Sequence, residues 1–202
     1  YVRLGFYDEE VRRPLLDEQA IVVLGCFNHG YYLSLDRYLT FMYEVLGQCV
    51  KSFAKVYFKF HYVEQPYFDL PQYRQFRQWL DDHGVAVLPM GDNTPVEELL
   101  GQMSSPPKFI AANFSTALLN AMELGCEPIF LCQLHKDVGG DFATVKRLLQ
   151  SLGYRFISSV SEIAPDYRCG LGSADLFSQK SFKDFYNDEI GGRPENRMSG
   201  KH

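Results

Sequence analysis

Lys108–Cys132 reads KFIAANFSTALLNAMELGCEPIFLC. The run Lys108–Phe114 is apolar and follows Pro106-Pro107, as suits a buried strand. Ser115 and Thr116 stand where a helix begins, and Ala117, Leu118, Leu119, Ala121, Met122 and Leu124 continue at helical spacing up to Gly125. Glu127–Cys132 is a second buried strand. A strand that feeds a helix through Ser-Thr brings two hydroxyls, free backbone N–H groups and the positive end of a helix dipole to one point, which is an anion site. The plainer alternative is that Ser115 only caps the helix.

Working outward, the same alternation repeats. Ala20–Phe27, AIVVLGCF, is a buried strand that runs into the loop signal Asn28-His29-Gly30. Apolar residues at 35, 38, 39, 42, 45, 46, 49 and 50 have the helical period. Lys55–His61, KVYFKFH, alternates and is rich in β-branched and aromatic residues, so it is a second strand, followed by a loop bearing Pro66 and Pro71. Gln72–His83 is a helix stopped by Gly84, and Val85–Met90 is a third strand. Thr94 is placed to cap a short helix with Pro95 at its first position and Glu97 and Glu98 in its first turn. Beyond the central stretch we expect a helix over Asp141–Leu152, a sixth strand at Tyr154–Ser158 and a last helix over Ser173–Tyr186, with a loose tail from Gly191. Strands alternating with helices predict an α/β fold, a Rossmann-like, doubly wound and mostly parallel sheet. The expected organisation is a lead-in at 1–19, one domain at 20–165, and a C-terminal helix and tail at 166–202.

Composition narrows the functional classes. The chain has 202 residues, 46% of them hydrophobic and 15% aromatic, enough for a sizeable core. A net charge of −5 without a long basic run argues against nucleic acid as a partner. No apolar run reaches the length of a membrane-spanning helix, and no signal peptide is visible. The first residue is tyrosine, from which we expect a fragment or a processed chain. Five cysteines, odd in number and scattered, are expected to be reduced thiols in a cytosolic setting. The five histidines lack metal-ligand spacing and there is no Asp-x-Asp, so no metal site is expected.

In a doubly wound sheet, ligands bind beyond the carboxyl ends of the strands. The residues there are Gly25, which allows close backbone approach, Lys59 and His61, two apart and so on one side of their strand, the turn Met90–Asn93, and Ser115-Thr116. With Glu97 and Glu98 these offer donors for a phosphate and a carboxylate for ribose hydroxyls, a set that suits a nucleotide. No G-x-G-x-x-G follows the first strand and no G-x-x-x-x-G-K-[ST] occurs, which disfavours dinucleotide-binding and P-loop proteins.

This order of motifs resembles bacterial sialyltransferases, above all the polysialyltransferase and lipooligosaccharide sialyltransferase group with the GT-B fold. The shared features are a Gly-ended strand, K-x-H at a strand end, an acidic short helix, and a strand leading into a Ser-Thr-headed helix, across roughly residues 18–160. The family carries His-Pro where this chain has His61-Tyr62. The resemblance implies a donor-binding half of a metal-independent glycosyltransferase that transfers sialic acid from CMP-sialic acid to a glycan acceptor, without a bound cofactor. It implies His61 as the catalytic residue assisting the leaving CMP, Lys59 beside the base, Ser115 and Thr116 on the phosphate, and Glu97 or Glu98 on the ribose. It further implies a cytoplasmic protein, with peripheral association of the full-length enzyme at the inner face of the membrane, and an N-terminal acceptor domain outside this chain. Two alternatives stay open: another GT-B nucleotide-sugar enzyme, such as a UDP-sugar transferase or an epimerase, and a non-catalytic nucleotide- or glycan-binding module.

Overall fold

The centre of the molecule is a strand with no polar side chain along most of its length. In the computed structural model, which describes residues 15–27, 34–90, 94–113, 115–134, 146–147, 149–150 and 153–170, this strand is β1, Asp17–Leu24. Ala20, Ile21, Val22 and Val23 in it are fully buried. A strand covered on both faces has no polar side to show, which is why AIVV is continuous and not alternating. β1 pairs in parallel with β2 (Lys55–Lys59) on one side and with β4 (Pro107–Ala112) on the other. β3 (Ala86–Val87) extends the sheet beyond β2, and β5 (Glu127–Phe130) extends it beyond β4. The order β3-β2-β1-β4-β5, parallel throughout, is the expected doubly wound, Rossmann-like sheet.

The helices follow from period and punctuation. α1 (Leu35–Ser52) turns Tyr38, Leu39, Phe41, Met42, Val45, Leu46 and Cys49 inward. Each large apolar side chain so buried contributes about 1.5–3 kcal/mol. Ser34 caps α1 by accepting from the Arg37 N–H at 3.3 Å. α2 (Pro71–Asp82) opens on its proline and is followed by Gly84 at φ +67°. α3 (Val96–Gly101) is short, and α4 (Thr116–Glu123) is followed by Gly125 at φ +89°. In both cases glycine takes up the left-handed conformation that follows a helix end. α1 packs on α2, and α3 on α4. β1 to β2 steps one way across the sheet and β4 to β5 the other, so right-handed crossovers set α1 and α4 on opposite faces.

Several local expectations change. β1 begins and ends three residues earlier than the apolar run Ala20–Phe27: pairing with β2 ends at Leu24 and Lys59, with a last bond from the Gly25 N–H to the Lys59 carbonyl. β3 is two residues long where six were expected: the Val85 N–H turns back to the Leu80 carbonyl, Ala86 and Val87 pair with β2, and the Leu88 N–H makes the last bond, to the Phe58 carbonyl. Residues 62–67 form a 3₁₀ turn in place of a loop. Thr94 does not cap α3; Pro95 occupies that position without a side-chain bond. Tyr154–Ser158 is not a sixth strand. Its apolar residues serve packing instead: the Tyr154 and Phe156 rings lie 5.7 and 5.0 Å from Phe130. Its backbone N–H groups at Tyr154 and Arg155 donate to the Leu149 and Cys169 carbonyls, not to the sheet. Of the helix expected at Asp141–Leu152, residues 146–147 and 149–150 are described and are helical. The lead-in up to residue 14, the Ser173–Tyr186 helix and the tail lie outside the described residues. All five cysteines are free thiols. Among the described residues no helix is long and apolar enough to cross a membrane, and no cluster of three metal-ligating side chains occurs.

Candidate functional site

The strand order reverses direction between β1 and β4, and the crevice opens there. A cavity of about 330 Å³ is bounded by the ends of β1 (Leu24, Gly25, Cys26), β2 (Lys59 to Tyr62) and β4 (Ala112, Asn113), by the start of α4 (Ser115, Ala117), and by Met90 and Thr94–Glu97 leading into α3. That volume falls at the lower end of the range for small-molecule pockets. Its position is the one dictated by a doubly wound sheet, because only at the reversal do two neighbouring crossovers leave on opposite faces and open a gap.

Five of the seven residues marked in the sequence line this crevice: Gly25, Lys59, His61, Glu97 and Ser115. Ser115 is the N-cap of α4, and its Oγ accepts from the Ala117 N–H at 3.2 Å. Capping and facing the crevice thus coincide in one residue. Thr116 is the first residue of α4, but its side chain lies outside the described part. Glu98 is not in the crevice; it is exposed on α3, within 3.4 Å of the Gln102 amide. Glu97 is the carboxylate that faces in. Its Oε1 accepts from the Asn120 amide of α4 at 2.6 Å, so α4 fixes the acid that α3 supplies.

The electrostatics of the two basic groups follow from burial. Desolvation pushes the Lys59 ammonium below its ordinary pKa, partly opposed by the negative charge of Glu97. Desolvation also lowers His61, and the neighbouring Lys59 charge adds to it. Both effects favour the neutral ring. The His61 Nδ1 accepts from the Val63 N–H at 3.3 Å, capping the 3₁₀ turn Tyr62–Tyr67. A neutral ring that accepts at Nδ1 carries its proton on Nε2, so one donor remains for a ligand. The Tyr62 ring is 4.4 Å from the imidazole, tilted by 35°, and is 56% exposed at the crevice wall. Cys26 also lines the crevice, but burial raises its thiol to about 11, so it stays protonated.

The group that sequence reading missed lies behind the wall. Glu64 is fully buried. Its Oε1 accepts from the Tyr38 hydroxyl at 2.6 Å and the Tyr73 hydroxyl at 2.9 Å, and its Oε2 accepts from the His61 N–H at 2.7 Å. The Phe27 backbone N–H also donates to the carboxylate. Burial raises its pKa against the pull of these donors. The signal in the sequence was a capping-box spacing, an N-cap residue followed three later by Glu, but with histidine in the cap position where Ser, Thr, Asp or Asn is usual. Gly25 belongs to the same arrangement. A Cβ there would sit 2.7 Å from Phe58 Cζ, 2.8 Å from Tyr38 Oη and 3.0 Å from Glu64 Oε2. The absent side chain makes room for the protein's own buried groups, whereas the sequence pointed to room for a ligand.

No protein-family model and no curated protein matches the chain. Among solved structures it is similar to the wall teichoic acid polymerase TagF. One TagF structure, soaked for 30 minutes with CDPG, is 15% identical with a TM-score of 0.39, over 85% of this chain and 37% of that one. A 15-minute soak gives 13% identity and a TM-score of 0.40, over 86% and 37%. The chain thus spans well under half the length of these structures.

Proposed function

We propose that this chain is the donor-binding half of a glycosyltransferase of the GT-B type, and that the crevice holds the nucleotide of an activated sugar, with CMP-sialic acid as the donor. The observation that carries the reading is the convergence of Lys59, His61, Glu97 and Ser115 from three different strand–helix junctions on one cavity at the reversal of the sheet. The start of α4 and the Lys59 ammonium suit a phosphate, because backbone N–H groups, the helix dipole and a cation all favour negative charge. Glu97, held by Asn120, suits a pair of ribose hydroxyls. As the sugar departs and becomes oxocarbenium-like, charge grows on the phosphate it leaves. Donors already fixed toward that charge would supply the main catalytic term. His61 donates Nε2–H to the phosphate in the neutral form. The phosphate's own charge then raises the imidazole's proton affinity, so the ring can assist the leaving group more strongly as the reaction proceeds.

The test is a panel of CMP, CDP, UMP, UDP and AMP, followed by calorimetry and thermal shift. CMP should bind best. Lys59→Ala and His61→Ala should each weaken CMP by about 1–3 kcal/mol, the range for hydrogen bonds to a charged group. Tighter binding of UMP or UDP would replace the cytidine donor by a uridine one. Absence of binding by every nucleotide would end the reading.

A further inference from the structure

The crevice has a second layer, and its chemistry is unexpected for a structural core. A carboxylate removed from water costs several kcal/mol unless its lone pairs are filled, and an apolar residue of similar shape would often serve stability as well or better. Glu64 is nevertheless fully buried, and its four donors come from four different places: Tyr38 on α1, Tyr73 on α2, the backbone of His61 at the end of β2, and that of Phe27 just after β1. The two tyrosines take up Oε1 and thereby orient the carboxylate. Oε2 is turned to the His61 N–H, at the residue whose ring lines the crevice. The same residue closes a reciprocal box, since Nδ1 of His61 accepts from Val63 while Glu64 accepts from His61.

We infer that Glu64 is the positioning residue of the crevice: through the His61 backbone it holds the imidazole in the arrangement that engages Nδ1 internally and leaves Nε2–H as the donor for an anionic ligand. A hydrophobic replacement could fill the volume but could not grip that N–H. This role rests on the reading that His61 meets the ligand, and it makes the buried tyrosines part of the site at one remove.

The experiment starts without ligand. Imidazole titrations of the full chain are followed by NMR, with His61 identified by its loss in His61→Ala. His61 should titrate below 6.5 in the wild type. Combining Tyr38→Phe with Tyr73→Phe strips Oε1 of both donors yet keeps the rings and the Glu64 side chain, and it should move that titration toward the ordinary histidine value as the ring is released. Tyr73→Phe alone is the milder version should the pair fail to fold. An ordinary wild-type titration, or one unmoved in the folded variants, would overturn the proposal. The second arm uses CMP in a double-mutant cycle. Tyr73→Phe should weaken CMP about 3- to 10-fold in the wild type, the effect of one hydrogen bond, and should add nothing in a His61→Ala background. Equal losses in both backgrounds would also overturn it, because they would mark a general loosening. Failure of the wild type to bind CMP would defeat the nucleotide reading, while the ligand-free titration would still decide the role of Glu64.

Discussion

Gly25 and Gly47 should respond oppositely to the same substitution. Gly25→Ala drives a methyl against Phe58, Tyr38 and Glu64 and should destabilise by about 1–3 kcal/mol, the usual cost of overpacking. Gly47 lies within α1 with open space around its Cβ position, so Gly47→Ala should stabilise by about 0.5–1 kcal/mol by restricting the unfolded chain. Urea midpoints of the two variants read both signs in one experiment. His61 adds a pH dependence. Its folded pKa lies below the ordinary 6.5, so below pH 6.5 the unfolded chain binds the proton more readily than the folded one. Stability then increases with pH in that interval and becomes flat above it, as far as this group is concerned. Between about pH 5 and pH 7 the wild type should gain more stability than His61→Gln; equal gains would show that the imidazole is not held neutral by the fold.

Two serines cap a long and a short helix, Ser34 accepting from the N–H three residues on and Ser115 from the one two residues on, which lets capping be separated from binding. Ser34 begins α1 away from the crevice, and Ser115 begins α4 within it. Replacing either by Ala should cost about 1 kcal/mol in stability. Only Ser115→Ala should also weaken CMP, and calorimetry of the pair checks this; equal affinities would return Ser115 to the cap alone. At this scale the sequence was readable wherever period and stop signals agreed, as in α1, in α2 up to Gly84, and in α4 up to Gly125. It misled where an apolar run serves packing instead of pairing. Tyr154, Phe156 and Ile157 are as apolar as a strand, but they spend that character against Phe130 and the core. Glu64 was unreadable for a different reason. A glutamate in a Pro-bearing segment is normally solvated, and its burial becomes tolerable once Tyr38 and Tyr73 approach in three dimensions beside the His61 and Phe27 backbone N–H groups.

At the scale of the molecule, the parallel order of the sheet followed from the alternation of elements, and with it the place of the crevice. The assignment of Lys59, His61, Glu97 and Ser115 to a single cavity needed that topology, since they are spread from residue 59 to residue 115. Glu97 and Glu98 could not be told apart in the sequence, because one residue along a helix is a rotation of about 100°. The central place of β1 has a consequence during synthesis. Val22 faces Tyr57 on one side and Ile110 on the other. At about 5–20 residues per second, the second neighbour leaves the ribosome several seconds after the first. Throughout that wait a β-branched segment without a single charge from Ala20 to Leu24 shows a bare backbone edge, the arrangement on which strands of other chains recruit themselves. Chains halted before Pro107 should therefore collect in the insoluble fraction, while a Lys placed at Val22 to guard the nascent edge would be intolerable in the finished interior. The strand that organises the fold is thus also the one most exposed to error while the fold is being made.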